Sequence, residues 1–354
     1  MGRIESVTDY SAVTLHDTTL PLSTGITFLG AHPYDFTGIV VGGGCDINGD
    51  SIDEIFIHVY QSKTTYVVLG SSNHASSNVS LETFVTGIDG FKIFNEGNVK
   101  ISCTSDMNND GMDEILLSSY TFDSNRGIVY VLAGSGTLSD VTLATFISGS
   151  RGFRIFGPDG AGQFGYSLAS VGKFKPGTGS GWSNSIAVGA RSAVEGKGAI
   201  YIIPGIIKTS DVFIENLGPS EVLSFLGVLG DLSCGSSISG GGDFNGDGLD
   251  DLIIGCPGGN GSAYMVFGSN YTGSLYLNLL GSLEIGFKIT SSSITEIGCS
   301  VAGGFDINRD GLADIALGTI ANTAYIIYGK NASAFENIAI ENMNTSSANP
   351  AGFA

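Results

Sequence analysis

The chain has 354 residues and a formal charge of −19, from 34 acidic against 15 basic side chains. An acidic balance of this size excludes the basic stripe that nucleic-acid binding requires, and there is no run of about 18 apolar residues to span a membrane as a helix. With 54 glycines and only 14% charged residues, the composition suits an all-β protein with many turns.

From the N-terminus, Met1–Ser6 lacks the apolar stretch of a secretory signal and fits the short myristoylation pattern M-G-x-x-x-[ST]. An entry strand at Gly25-Ile-Thr-Phe precedes an acidic loop, Asp46-Ile-Asn48-Gly-Asp50-Ser-Ile-Asp53-Glu54. A β-branched run then continues from Glu54, and an exit strand reads Tyr66-Val-Val-Leu-Gly70. The same order returns with an entry strand from Gly90, the loop Asp106-Met-Asn108-Asn-Asp110-Gly-Met-Asp113-Glu114 and an exit strand from Val129. It returns again with the loops Asp243-Phe-Asn245-Gly-Asp247-Gly-Leu-Asp250-Asp251 and Asp306-Ile-Asn308-Arg-Asp310-Gly-Leu-Ala-Asp314. Between the second and third loops lies a degraded copy: Phe164-Gly-Tyr-Ser leads to Lys173-Phe-Lys175, a glycine-rich stretch and Ser185-Ile-Ala-Val-Gly189-Ala190.

Each of the four loops offers hard oxygen ligands at positions 1, 3, 5 and 9, and a backbone carbonyl at position 7 comes from Ile52, Met112, Leu249 or Leu312. That donor set suits Ca²⁺, which takes six to eight oxygens in flexible geometry. The predicted ligands are Asp46, Asn48, Asp50, Ile52 and Glu54; Asp106, Asn108, Asp110, Met112 and Glu114; Asp243, Asn245, Asp247, Leu249 and Asp251; and Asp306, Asn308, Asp310, Leu312 and Asp314. Up to four structural Ca²⁺ ions are implied. An EF-hand is excluded, because its bidentate Glu at position 12 is replaced by Ile57, Leu117, Ile254 and Leu317, and the residues after each loop read as strand. Ser51 stands where the other loops have glycine at position 6, which makes the first site the least regular.

The loops recur in steps of roughly 60 to 70 residues once the degraded copy is counted. Four strands per unit at a long period predict a β-propeller with blades near 7–70, 71–134, 135–205, 206–268 and 269–329, and a partial blade over 330–354. A stacked solenoid is the alternative. The motif and its period resemble the FG-GAP repeat family, the blades of the integrin α-subunit head. The naming residues are clearest at Phe164-Gly165 and at Gly189-Ala190 or Gly255-Cys256-Pro257, whereas His58-Val-Tyr and Ser118-Ser-Tyr depart from them. The resemblance implies that the loops share one face, that the opposite face binds ligands and that a full ring has seven blades. Five units and the start of a sixth then point to a fragment, with a closed ring of five or six blades as the alternative.

The cysteines at 45, 103, 234, 256 and 299 are odd in number and have small apolar neighbours, so they read as buried hydrophobes rather than a disulfide framework. Sequons at Asn78, Asn260, Asn270, Asn331 and Asn344 match chance expectation, and His16, His32, His58 and His74 have no metal-ligand spacing. No hydrolase or phosphate-loop motif occurs. Lys173, Lys175, Arg151, Arg154, Arg191 and Lys197 gather near the degraded copy, either as replacement for a lost metal or as a patch for an acidic partner. The expected function is a calcium-stabilised, non-enzymatic binding module for a protein or glycan ligand at a cell surface or outside the cell. Alternatives are a calcium-dependent phosphate-ester hydrolase and a passive spacer in a large adhesin.

Overall fold

A computed structural model of the chain describes residues 26–71, 78–95, 97–149, 151–176, 182–205, 207–293, 296–321, 323–332, 335–343 and 352–353. The pattern at Met1–Ser6, Gly25, His16, His74 and the Asn344 sequon lie outside them.

Among the described residues the strands form five principal sheets of one design. In the first, Thr37–Cys45, Glu54–Val59, Thr64–Val68 and Gly90–Phe94 run antiparallel in that order. The second repeats it with Val99–Thr104, Glu114–Ser119, Ile128–Leu132 and Gly152–Phe156. The third uses Phe164–Gly172, Ser185–Ala190, Ala199–Ile203 and Leu223–Leu226, and the fourth uses Ser237–Gly242, Asp251–Cys256, Ser262–Val266 and Gly286–Thr290. The fifth joins Ser300–Phe305, Asp314–Gly318, Ala324–Ile327 and Gly352–Phe353. The first strand of each sheet packs beside the first strand of the next, which is the arrangement of the β-propeller class.

The sheets cut the chain differently from the units read in sequence. Gly90–Phe94, the entry strand of the second unit, is the outermost strand of the first sheet, where it pairs with Thr64–Val68. The blade limits near 70, 134, 205, 268 and 329 therefore fall one strand early. The reason is hydrogen bonding. The third strand would otherwise leave an unpaired edge, and the returning chain covers it. A further short strand then lies parallel on that outer strand, as Val141–Thr142 does on Gly90–Phe94 and Gly273–Tyr276 on Leu223–Leu226. Thr27–Leu29 pairs in the same parallel way with Asn78–Ser80.

The core lies between neighbouring sheets. Phe56, Val67 and Phe91 meet Ile115, Leu117 and Tyr130, all buried, and Leu116, Val129 and Phe153 meet Phe164, Ile186 and Val188. Ala187, Ile200 and Phe225 meet Leu252, Ile254 and Tyr264, and Ile253, Met265 and Phe287 meet Ile315, Leu317 and Tyr325. Because both faces of the middle sheets are buried, their second and third strands read as continuous apolar runs rather than alternating ones.

The cysteine expectation is overturned. Cys45 and Cys103 form a disulfide that ties the first strand of the first sheet to the first strand of the second. Cys234 and Cys256 form another, which clamps the entry loop of the fourth sheet to the end of its second strand. Cys299 is the free, exposed cysteine. Separations of 58 and 22 residues gave no hint of pairing. The side-by-side packing of the first two sheets brings Cys45 and Cys103 together, and the fold of the entry loop over the fourth sheet brings Cys234 to Cys256. Replacing Cys45 and Cys103 by Ser is expected to lower stability by about 2–4 kcal/mol. Urea unfolding under oxidising conditions would show this, and an unchanged midpoint would remove the cross-link from the account.

Candidate metal hairpins and the facing edge

All four acidic loops sit at the same turn, between the first and second strands of their sheets, and the second strand starts on the residue at position 9. Strand, not helix, succeeds each loop, in line with the exclusion of an EF-hand. The turn depends on left-handed backbone at position 6, where Gly111, Gly248 and Gly311 have φ of 85°, 83° and 89°. Ser51 adopts 66° there, so the first loop keeps the shape despite its substitution.

The wiring is shared. Asp243 Oδ1 accepts from the N–H groups of Gly246 and Asp247, and its Oδ2 accepts from Gly248 at 2.9 Å. Asn245 Oδ1 accepts from Asp247 N–H, and Asp247 Oδ1 accepts from Leu249 N–H at 2.8 Å. Asp46, Asn48 and Asp50 repeat this, as do Asp106, Asn108 and Asp110, and Asp306, Asn308 and Asp310. In each loop the Asn side-chain amide also donates to the position-5 carboxylate.

The residue at position 9 plays a different part. Glu54, Glu114, Asp251 and Asp314 are fully buried. Asp251 accepts from Phe244 N–H at 2.9 Å and from Gly268 N–H at 2.8 Å, which ties the turn to the end of the third strand. Asp314 does the same with Ile307 and Gly329, and Glu54 with Ile47 and Gly70. Glu114 accepts from Met107 N–H, but its Oε1 is buried without a hydrogen-bond partner. Burial pushes Glu54 up to about 7 and Glu114 and Asp251 up to about 8, with neighbouring loop carboxylates adding to the rise.

A divalent cation fits this donor set in kind. The oxygens are hard, the Glu114 oxygen is orphaned, and none of the loop carboxylates forms an ion pair among the described residues. The ligands are in sequence order but not drawn together. Among the described residues no group of three or more His, Cys, Asp or Glu side chains is placed to hold a metal ion.

A second role of the loops had no counterpart in the sequence reading. Three of the four joints between successive hairpins run through position 8, and the joint from the second to the third runs from the Asn184 side-chain amide to the Asp106 carbonyl. Asp113 N–H donates to the Asp46 carbonyl at 2.8 Å, while its carboxylate accepts from Asp46 and Asp106 N–H. Asp250 binds Lys173 reciprocally, and Ala313 N–H donates to the Asp243 carbonyl. The side chain at position 2 plugs the joint. Ile47, Met107, Phe174 and Phe244 are buried, whereas Ile307 in the last hairpin is 51% exposed. Aspartate at position 8 in three of the four loops was the available signal.

The degraded copy keeps this joint and replaces the acidic turn. Phe174 N–H donates to the Trp182 carbonyl, and the buried Lys175 ammonium lies 4.3 Å from the Trp182 ring centroid. Lys173 Nζ donates to the Gly248 carbonyl of the next hairpin. The basic residues gathered in sequence do not form one patch. Arg154 pairs with Asp211 and Lys197 with Glu195, while Arg151 stacks on Phe91. Arg191 lies at the opposite edge of its sheet from Lys173, directly after the strand Ser185–Ala190. His58 is buried against Thr65 and Asn95, and burial lowers it to about 4.

These contacts separate two kinds of carboxylate. Asp251→Ala leaves two core N–H groups without an acceptor and is expected to cost about 2–4 kcal/mol in chelator. Asp247→Ala, on the exposed turn, is expected to change the stability of the chelated protein by less than about 1 kcal/mol. Thermal melts of both variants in chelator would check this, and equal losses would overturn it.

A family model described as FG-GAP repeat matches residues 235–277, which hold the hairpin of the fourth sheet. Over 171 residues, or 43% of the chain, the sequence is 30% identical to integrin alpha ina-1 of Caenorhabditis elegans. The match spans 14% of the length of that protein. The chain therefore holds a matched FG-GAP repeat in its fourth sheet, repeats the same hairpin wiring in three other sheets, and is similar over part of its length to an integrin alpha.

Proposed function

We propose that the chain is a calcium-stabilised recognition module of the adhesion type, which binds a protein or glycan ligand at a cell surface or outside the cell. The observation that carries the calcium part is the repeated hairpin. Each turn carries three acidic groups with no ion-pair partner among the described residues, and in the second, Glu114 is buried with an orphaned oxygen. Calcium bound there would supply the missing positive charge and fix the turn. Asp46, Asn48 and Asp50 and their equivalents would hold it, with the position-7 carbonyls and the position-9 carboxylates.

The setting is supported by two disulfides, which persist in oxidising compartments. Extracellular calcium modules also bind in the range of roughly 10⁻⁴–10⁻³ M, which cytosol would leave empty. A binding role, rather than catalysis, is supported by the engagement of the buried carboxylates. Those of Asp251 and Asp314 are each held by two backbone N–H groups, which leaves them poorly placed to shuttle protons.

Melting in millimolar Ca²⁺ is expected to exceed melting in chelator by several degrees, since saturation at about 100 Kd adds about 2.7 kcal/mol per site. Asp247→Ala is expected to reduce that difference. Identical melting curves with and without Ca²⁺ would remove calcium from the proposal, and turnover of a phosphate ester in Ca²⁺ would overturn the binding reading.

A further inference from the structure

A hollow between the second and third sheets belongs neither to the acidic turns nor to the joints that link them. Its volume is about 180 Å³. Phe153, from the strand Gly152–Phe156 of the second sheet, and Ile203, at the end of the third strand of the third, line it together with Trp182, and all three are buried. Val212 and Leu217 complete the apolar wall. Trp182 comes from the segment that stands in place of the acidic turn in the degraded copy. Its ring is held by the buried Lys175 ammonium, 4.3 Å from the centroid.

The repeat itself shows what fits there. A short strand lies parallel on the outer strand of each sheet in one register, with Val141 opposite Ile93, Val212 opposite Ile155 and Ile338 opposite Ile289. The residues three places earlier are therefore equivalent, and they are Leu138, Thr209 and Phe335. Leu138 packs against the core that contains Phe91. Phe335 stacks on Phe287, with 5.3 Å between centroids and 12° between planes. The corresponding hollow, beside Ile327, Tyr328 and Ile338, is accordingly lined by Phe335 and not by Phe287. In the second sheet that place falls to Thr209, which is exposed, and the hollow reaches Phe153 itself. The chain fills the site with its own phenyl ring in one unit and leaves it open in another. The size suits a ring, since an apolar cavity of roughly 150 Å³ takes up benzene.

The mouth adds charge. Lys208 and Glu221 stand there, both exposed. Neither forms an ion pair among the described residues, with the other or with any third group. One Glu221 oxygen accepts from Gly218 N–H at 3.0 Å. An unpaired cation and an unpaired anion beside an apolar hollow match a ligand that carries both charges next to a ring.

We propose that the hollow is a binding site for a free aromatic amino acid. The ring lies against Phe153 and Trp182, the carboxylate meets Lys208 and the ammonium meets Glu221. A Phe side chain within a peptide is less well served, because its neutral amide groups leave both charges at the mouth unmatched. None of these residues belongs to the four acidic loops, so the site stands apart from the calcium reading.

Trp182 is the single tryptophan of the chain, and its fluorescence therefore reports from the wall of the site. Titration of the full chain with L-phenylalanine, which does not absorb where tryptophan is selectively excited, is expected to give a saturable change in emission. L-Alanine, which lacks the ring, is expected to give none. Hydrocinnamate and phenethylamine, which each lack one charge, are expected to bind roughly threefold or more weakly. Lys208→Ser, at an exposed position, is expected to weaken L-phenylalanine by a similar factor and to leave phenethylamine unchanged. Thr209→Phe supplies the ring that Phe335 supplies in the fourth sheet, and it is expected to abolish the response without lowering the melting temperature. Absence of a saturable change, or a response that survives Thr209→Phe, overturns the site. An affinity for L-phenylalanine that Lys208→Ser leaves unaltered, or that a blocked glycine-flanked Phe peptide equals, overturns the amino acid as its ligand.

Discussion

The hydrogen bonds from one hairpin to the next are the constraint on which the molecule depends. A four-stranded sheet of this size cannot bury both of its faces alone, and each face of the middle sheets is covered by a neighbour. The joint between Asp113 and Asp46, and those between Asp250 and Lys173 and between Ala313 and Asp243, set the register in which neighbours meet. The buried side chain at position 2 then fills the space that the joint encloses. The degraded third hairpin shows which part is indispensable. It has lost the acidic turn and kept both the joint and the plug, through Lys173 and Phe174.

The acidic turn therefore has two separable tasks. Its first residues arrange oxygens around an exposed loop. Its last carboxylate is a core group that ties the turn to the third strand. The proposed calcium would draw on both sets of oxygens, whereas the backbone bonds of the last carboxylate serve the fold, and one motif carries both because position 9 is where the loop enters the sheet. The Cys45–Cys103 disulfide reinforces the same boundary between the first two sheets covalently.

With one edge of the sheets committed to holding neighbours together, the facing edge is free to vary. There the chain departs from its own repeat. Tyr60 and Tyr120 come after the strands in the first two units, where the third and fourth have Arg191 and Pro257. Those departures weaken the family pattern in sequence. In space they set aromatic and cationic groups side by side along one edge.

The repeat, the all-β class, the hairpin turns and the likeness to an FG-GAP repeat were legible in the sequence, because each rests on local rules. Ligand spacing, a left-handed turn at position 6 and apolar strands read the same in any unit. The allotment of Gly90–Phe94 to the preceding sheet, the pairing of Cys45 with Cys103, the bridging part of Asp113 and Asp250 and the meeting of Arg191 with Tyr166 were not. Each of these joins residues that are far apart in the chain or lie in different units. A motif fixes the shape of one hairpin. Only the packing of one sheet against the next decides which side chains of separate hairpins share a joint, a bond or a surface.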